Sequence, residues 1–157
     1  VKHQARIKEL MQSEVFTVGP DDMVDRVFFL LHYEKIRHLP VIERGKVVGI
    51  VSDRDLYKAL GPRGRRRVTS GEPGKTSLYV MPRRVRHVMR RGVITIDPEA
   101  EATKAAAIMA RRRIGALPVV RNDKLVGIIT STDLLREYAR LGRARPAAPP
   151  SGTRGAS

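Results

Sequence analysis

The 157 residues suffice for one compact domain or two small coupled ones, and 41% hydrophobic content without Trp, with three Phe and four Tyr, calls for an aliphatic interior. The absence of Cys excludes disulfides, thiolate metal sites and thiol nucleophiles. No apolar run approaches the roughly 20 residues of a membrane helix, and VKHQARIKEL is no secretory signal, so a soluble, cytoplasmic protein is expected.

The balance of 31 basic to 16 acidic residues gives a net charge of +15. Residues 61–87 and 136–157 carry +11 of it, in stretches with little hydrophobic periodicity. The surplus therefore decorates the fold and does not define it.

Taken in chain order, the first predicted element is a short strand over Val15–Val18, ended by Pro20 and the acids Asp21 and Asp22. Acids placed there suit the positive end of a helix dipole. The helix that follows carries apolar residues at Val24, Val27, Phe28 and Leu31, the i, i+3, i+4, i+7 spacing of one buried face. Two strands, His38–Ile42 and Val47–Val51, flank the turn Glu43-Arg44-Gly45-Lys46, and a last helix starts near Ser52. Residues 61–82 then read as a basic Gly/Pro/Arg-rich linker or long loop.

The same order returns at an offset of 78 positions, which aligns 11–56 with 89–134 without a gap. Leu39-Pro40-Val41 matches Leu117-Pro118-Val119, Val48-Gly49-Ile50 matches Val126-Gly127-Ile128, and Asp55-Leu56 matches Asp133-Leu134. The second copy predicts a strand at Val93–Ile96, a helix face of Ala102, Ala105, Ala106 and Met109, and strands Ala116–Val120 and Leu125–Ile129. A helix starting near Thr130 completes it. The chain is a tandem duplication of a β-α-β-β-α unit with a three-stranded sheet, in the α/β (α+β) class. Repeat 1 spans 8–60, repeat 2 spans 83–138, and 139–157 reads as a disordered basic tail. One unit alone buries too little surface to be stable, so the copies should pack sheet to sheet around a cleft.

Gly49-Ile50-Val51-Ser52-Asp53-Arg54-Asp55 and Gly127-Ile128-Ile129-Thr130-Ser131-Thr132-Asp133 both run from a buried strand into a helix. A helix N-terminus offers unpaired N–H groups to phosphate. The Ser52 or Thr130 hydroxyl can add a donor, and Asp55 or Asp133, one turn on, can accept both hydroxyls of a ribose. The same Ser/Thr-x-x-Asp pattern is also a capping box, and the two roles can coexist.

The stretches IRHLPV…GKVVGIVSDRDL and IGALPVV…DKLVGIITSTDL resemble tandem cystathionine-β-synthase (CBS) domains, the paired unit called a Bateman module. With no catalytic domain alongside, the chain is similar to stand-alone bacterial CBS pairs, including the acetoin-utilisation type. The resemblance implies a regulatory module that takes AMP, ADP, ATP or S-adenosylmethionine in its cleft, with no other cofactor, and that dimerises through helices. It further implies a regulated partner protein that the residues do not name.

On that resemblance Thr17 and Thr95 hold base or ribose, while Ile36, Arg37, His38 and Pro40, with Ile114, Gly115, Ala116 and Pro118, line the cleft. Arg37, His38 and Arg54 are basic where Gly115, Ala116 and Thr132 are small or neutral, so the second site is expected to be roomier and less basic.

Other signals are weaker. Gly74-Lys75-Thr76 lacks the glycine and the flanking strand and helix of a phosphate-binding loop. The four His show no metal-ligand spacing, and no nucleophile constellation is visible, so no enzyme is expected. The run Arg65-Arg66-Arg67 and the basic tail offer the alternative of a nucleic-acid-associated or scaffold protein, but Tyr79 is the lone nearby aromatic for stacking.

Overall fold

A computed structural model describes residues 4–60, 65–69, 76–80 and 83–143. Its elements are α1 (Ile7–Leu10), α2 (Val24–Tyr33), β1 (His38–Glu43), β2 (Lys46–Ser52), α3 (Asp53–Leu60), β3 (Arg65–Thr69), β4 (Thr76–Val80), α4 (Ala102–Arg112), β5 (Ala116–Arg121), β6 (Lys124–Thr130) and α5 (Ser131–Arg143). A short 3-10 turn, Val85–His87, lies at the start of the second repeat.

The duplication seen in the sequence is a duplication in space. β1 and β2 pair antiparallel from His38↔Ser52 to Glu43↔Lys46, and β5 and β6 from Ala116↔Thr130 to Arg121↔Lys124. Each hairpin carries one bulge at the matching place, between Val41 and Ile42 or between Val119 and Val120. The turns Arg44-Gly45 and Asn122-Asp123 hold positive φ at both residues, the twist that suits tight antiparallel hairpins.

The predicted third strand shrinks to one residue in each copy. Val18 bridges β1 in parallel, its N–H reaching the Pro40 carbonyl at 3.2 Å while its own carbonyl accepts from Ile42 at 2.8 Å. Ile96 repeats this on Pro118 and Val120 at 3.0 and 2.9 Å. The next donor on that edge, two residues on, would be Pro20 or Pro98, and proline has no N–H to continue a ladder.

Two further differences lie in the basic segments. Ten residues of the stretch that composition reads as loop form the β3–β4 hairpin, registered from Arg65↔Val80 to Thr69↔Thr76. The last helix runs on to Arg143, five residues into the predicted tail, because the amphipathic pattern of α5 persists and Arg140 braces Glu137 one turn back at 2.7 Å. The rest of the tail and residues 61–64, 70–75 and 81–82 lie outside the described residues.

The two cores are not those of two contiguous repeats. Val18, Val24, Val27, Leu39, Val41, Val51 and Leu56 of repeat 1 are closed over by Val85 and Val88, from the opening segment of repeat 2. Ile96, Ala105, Met109, Leu117, Val119 and Ile129 of repeat 2 are closed over by Ile7, which precedes repeat 1. Phe28 and Leu31 pack on the first core from its edge, whereas Ala106 of the predicted α4 face is exposed and Ile108 packs instead.

Each leader thus crosses to the other repeat, and its contacts recur at the same offset. The N–H groups of Ile7 and Lys8 donate to the carbonyls of Ala100 and Pro98, and those of Val85 and Arg86 to Asp22 and Pro20. Lys8 pairs with Glu99 at 2.9 Å, and Arg86 Nε donates to Asp21 at 3.0 Å. These cations hold both exposed carboxyls below the ordinary carboxylate range.

The leaders end as antiparallel bridges, Gln12↔Ile128 and Arg90↔Ile50. Glycine is required beside them. A Cβ on Gly127 would lie 2.6 Å from Met11 Sδ and 2.8 Å from the Gln12 carbonyl oxygen, and one on Gly49 would lie 2.6 Å from Met89 Sδ and 3.1 Å from the Arg90 carbonyl oxygen.

Candidate functional site

Both capping boxes form. Ser52 precedes α3, and its Oγ accepts the Asp55 N–H at 3.1 Å. Asp55 Oδ2 in turn accepts the Ser52 N–H at 3.1 Å and the hydroxyl at 2.6 Å. Before α5, Thr130 and Asp133 repeat the set at 3.3, 2.8 and 2.6 Å. One carboxylate oxygen of each aspartate is therefore spent on its helix.

The other oxygen, Oδ1, is spent differently in the two copies. Asp55 Oδ1 accepts from Arg90 Nε at 2.7 Å, with the carboxylate side chain only 10% exposed. Asp133 Oδ1 has the longer contacts, Gln12 Nε2 at 3.4 Å and Arg136 at 3.6 Å, with its side chain 6% exposed.

Each aspartate lines a cavity of about 400 Å³, 410 Å³ beside Asp55 and 420 Å³ beside Asp133. The cavities are built crosswise. Asp55, Ser52 and Ile50 of repeat 1 face Val93, Ile94 and Ile114 of repeat 2. Asp133, Thr130 and Ile128 of repeat 2 face Val15, Phe16 and Ile36 of repeat 1. A largely buried carboxylate and a hydroxyl thus stand opposite an apolar wall, the mixture a nucleoside needs for its ribose and its base.

The expectation of a roomier second site does not hold, since the volumes match. The reason is the crossing: Ala116, a small residue expected at the second site, lines the Asp55 cavity, and Gly115, Arg37 and His38 line both. The charges do differ. The Asp55 cavity is lined by Arg37, Arg54, Arg90, Arg91, Arg112 and Arg113 against Asp53 and Asp55. The Asp133 cavity sets Lys35, Arg37 and Arg136 against Glu14, Glu34 and Asp133.

His38 forms the partition between the cavities. A Cβ on Gly115 would come within 3.3 Å of its Cε1 and Nε2, so the imidazole rests on that glycine's open face. Its counterpart at the offset is Ala116, so only one side of the pseudo-twofold carries a ring. Burial, the main cause, pushes the His38 pKa below its ordinary 6.5, and Asp53 opposes this. The folded protein thus holds His38 neutral where the unfolded chain already binds a proton. Stability should be complete above about pH 6.5 and should fall as pH drops through the window below it. Urea unfolding at pH 7.5 and 5.5 should show this slope in the native protein and a shallower one in His38→Gln.

The remaining predicted residues divide. Ile36, Arg37, His38, Ser52, Arg54, Asp55, Ile114, Gly115, Ala116, Thr130, Thr132 and Asp133 line one or both cavities. Thr17 lines a separate depression with Ser13, Ile42 and Lys124, and Thr95 is exposed and lines neither cavity. The consecutive pairs just before them, Val15-Phe16 and Val93-Ile94, take the cavity positions. Pro40 and Pro118 are buried in β1 and β5, where their carbonyls accept the Val18 and Ile96 N–H groups. Arg90, Arg91, Arg112 and Arg113 were missed at the sequence level. For Arg112 and Arg113 the signal was present, since they directly precede Ile114, the counterpart of Ile36, at the end of the second copy's first helix.

Among the described residues no group of three or more His, Asp or Glu is placed to hold a metal ion, and no helix is long and apolar enough to cross a membrane.

Comparison with known proteins agrees with this geometry. Inosine-5'-monophosphate dehydrogenase of Korarchaeum cryptofilum is 35% identical over 130 residues, 82% of this chain but only 23% of that enzyme's length. The CBS domain pair of protein MJ0100, solved with 5-methylthioadenosine and S-adenosyl-L-methionine, superposes with a TM-score of 0.72 at 25% identity, covering 88% of this chain and 99% of that one. A putative acetoin utilization protein (AcuB) from Vibrio cholerae gives 0.71 at 26% identity over 90% and 97%. CBSX2 in complex with AMP gives 0.66 at 25% identity over 88% and 98%. The family model for the CBS domain matches twice, at residues 7–62 and 85–140, so the chain belongs to the CBS domain family and contains a tandem pair of its repeats.

Proposed function

We propose that this protein is a non-catalytic sensor that binds an adenine nucleotide (AMP, ADP or ATP) or a related adenosyl compound between its repeats. The observation that carries the reading is the crossed construction of the two cavities. A ligand seated there touches the Ser/Thr-x-x-Asp stretch of one repeat and the apolar wall of the other. Its binding energy therefore depends on how the repeats sit against each other, the condition for shifting a conformational equilibrium. The adenosyl ligands of MJ0100 and the AMP of CBSX2 support the ligand class. Apolar side chains exposed on α2 and α5, among them Phe29 (54%), Tyr33 (66%), Leu135 (67%) and Tyr138 (76%), support self-association through helices, which the mass by sedimentation decides.

Thermal shift tests the reading. A compound at 100 times its dissociation constant adds about 2.7 kcal/mol to native stability, a rise of several degrees for a domain of this size. At least one of AMP, ADP, ATP and S-adenosylmethionine should produce such a rise. Asp55→Asn and Asp133→Asn, which keep an acceptor at the cap, should each diminish the response of one cavity. A full shift in the double variant means that these carboxylates do not hold the ligand.

A further inference from the structure

The two cavities share a size and a fold but differ in charge and in the state of their aspartates. Six arginines against two aspartates line the Asp55 cavity, and three basic residues against three acidic ones line the other. We propose that the pair sorts its ligands by charge: the Asp55 cavity takes a nucleoside polyphosphate, and the Asp133 cavity takes a nucleoside whose 5′ group carries little negative charge. This rests on the nucleotide-sensing reading above and names the ligand class of each half.

The aspartates supply the stronger part of the argument. A ribose reaching Asp55 must take Oδ1 from Arg90, a charge-assisted bond of 2.7 Å in a side chain nine-tenths shielded from water. A neutral nucleoside breaks that short ion pair, leaves the half-exposed guanidinium to water and gives it no anion in exchange. A ligand that brings phosphate re-pairs Arg90 at once, and Arg54, Arg91, Arg112 and Arg113 line the same cavity to receive the remaining charge. The ligand's own anion thus offsets the broken ion pair.

Asp133 gives up little. Its Oδ1 contacts are 3.4 and 3.6 Å, to an amide and to the far end of an exposed arginine. A ribose can take that oxygen without breaking a short ion pair. Glu14 and Glu34 line the same cavity and repel a polyphosphate tail, most strongly at low salt. His38 and Arg37 border both cavities and so do not discriminate between them.

Calorimetric titration at low salt with ATP and with adenosine separates the possibilities. One equivalent of each should bind, and saturation with adenosine should leave the ATP affinity within about twofold. Arg91→Gln/Arg112→Gln, changed at two exposed positions, should weaken ATP about tenfold and leave adenosine unaltered. Arg90→Gln should raise the adenosine stoichiometry from one to two, because Asp55 is then free. Mutual competition, two equivalents of either compound in the native protein, or an adenosine stoichiometry unmoved by Arg90→Gln overturns the sorting and leaves the sensing reading intact. Binding of neither compound, with AMP and S-adenosylmethionine also silent in thermal shift, overturns both.

Discussion

Gly127→Ala should lower the free energy of unfolding by about 2 kcal/mol, and Gly49→Ala should lower it by less. A methyl group at either place lands 2.6 Å from a methionine sulfur, which can swing away on its flexible stem. Backbone cannot. At Gly127 the new carbon also meets the Gln12 carbonyl oxygen at 2.8 Å, and Gln12 is pinned to Ile128 by two bonds of 2.9 Å. At Gly49 the matching Arg90 oxygen stands back at 3.1 Å, where a shift of a few tenths of an ångström suffices. Urea denaturation of both variants gives the order directly. Equal losses, or a greater loss at Gly49, would show that the leader is held less firmly at Ile128 than the two bonds imply.

A second large effect is expected far from the element it weakens. Ile7 is fully buried, yet it lies ahead of repeat 1 and packs in the core of repeat 2. Ile7→Ala should cost about 2–5 kcal/mol, the usual range for emptying a buried aliphatic site. The loss should appear first in the wrong repeat. Native-state hydrogen exchange should show amides of β5 and β6 losing protection before those of β1 and β2. Val85→Ala should do the reverse, opening β1 and β2 first, since Val85 closes the core of repeat 1. If Ile7→Ala loosens β1 and β2 ahead of β5 and β6, the crossing of the leaders is wrong.

Much of this was legible in the chain because local rules and an ungapped repeat point the same way. The spacing Val24, Val27, Phe28, Leu31 marks a helix, the four-residue turns mark hairpins, and Ser52/Asp55 with Thr130/Asp133 mark helix starts. The family resemblance, carried by the doubled Leu-Pro-Val and Gly-x-x-Ser/Thr-x-x-Asp stretches, placed the cleft residues. The exchange of leaders was hidden, because an alignment at a fixed offset keeps each leader with the repeat it precedes. Ile7 and Leu10 read as one apolar face whichever core receives it.

The cavity charges were legible only in part for the same reason. Arg37 and Arg54 do line the Asp55 cavity, while Arg90, Arg91, Arg112 and Arg113 reach it from the other half. The one-residue third strand follows from Pro20 and Pro98, which were visible and were read only as helix starts. The β3–β4 hairpin was hidden by its surroundings, since Gly, Pro and Arg dominate the stretch as a whole, although Thr76–Val80 itself is Thr-Ser-Leu-Tyr-Val and holds none of them.

The crossed leaders also decide what a cut in the connecting segment would release. Residues 1–60 hold the strands of one interior but the plug of the other, and residues 83–143 hold the converse. Neither fragment owns everything its own hydrophobic centre requires. Each would remain clasped by the other, so the integrity of the molecule is a property of mutual insertion and does not depend on an unbroken thread.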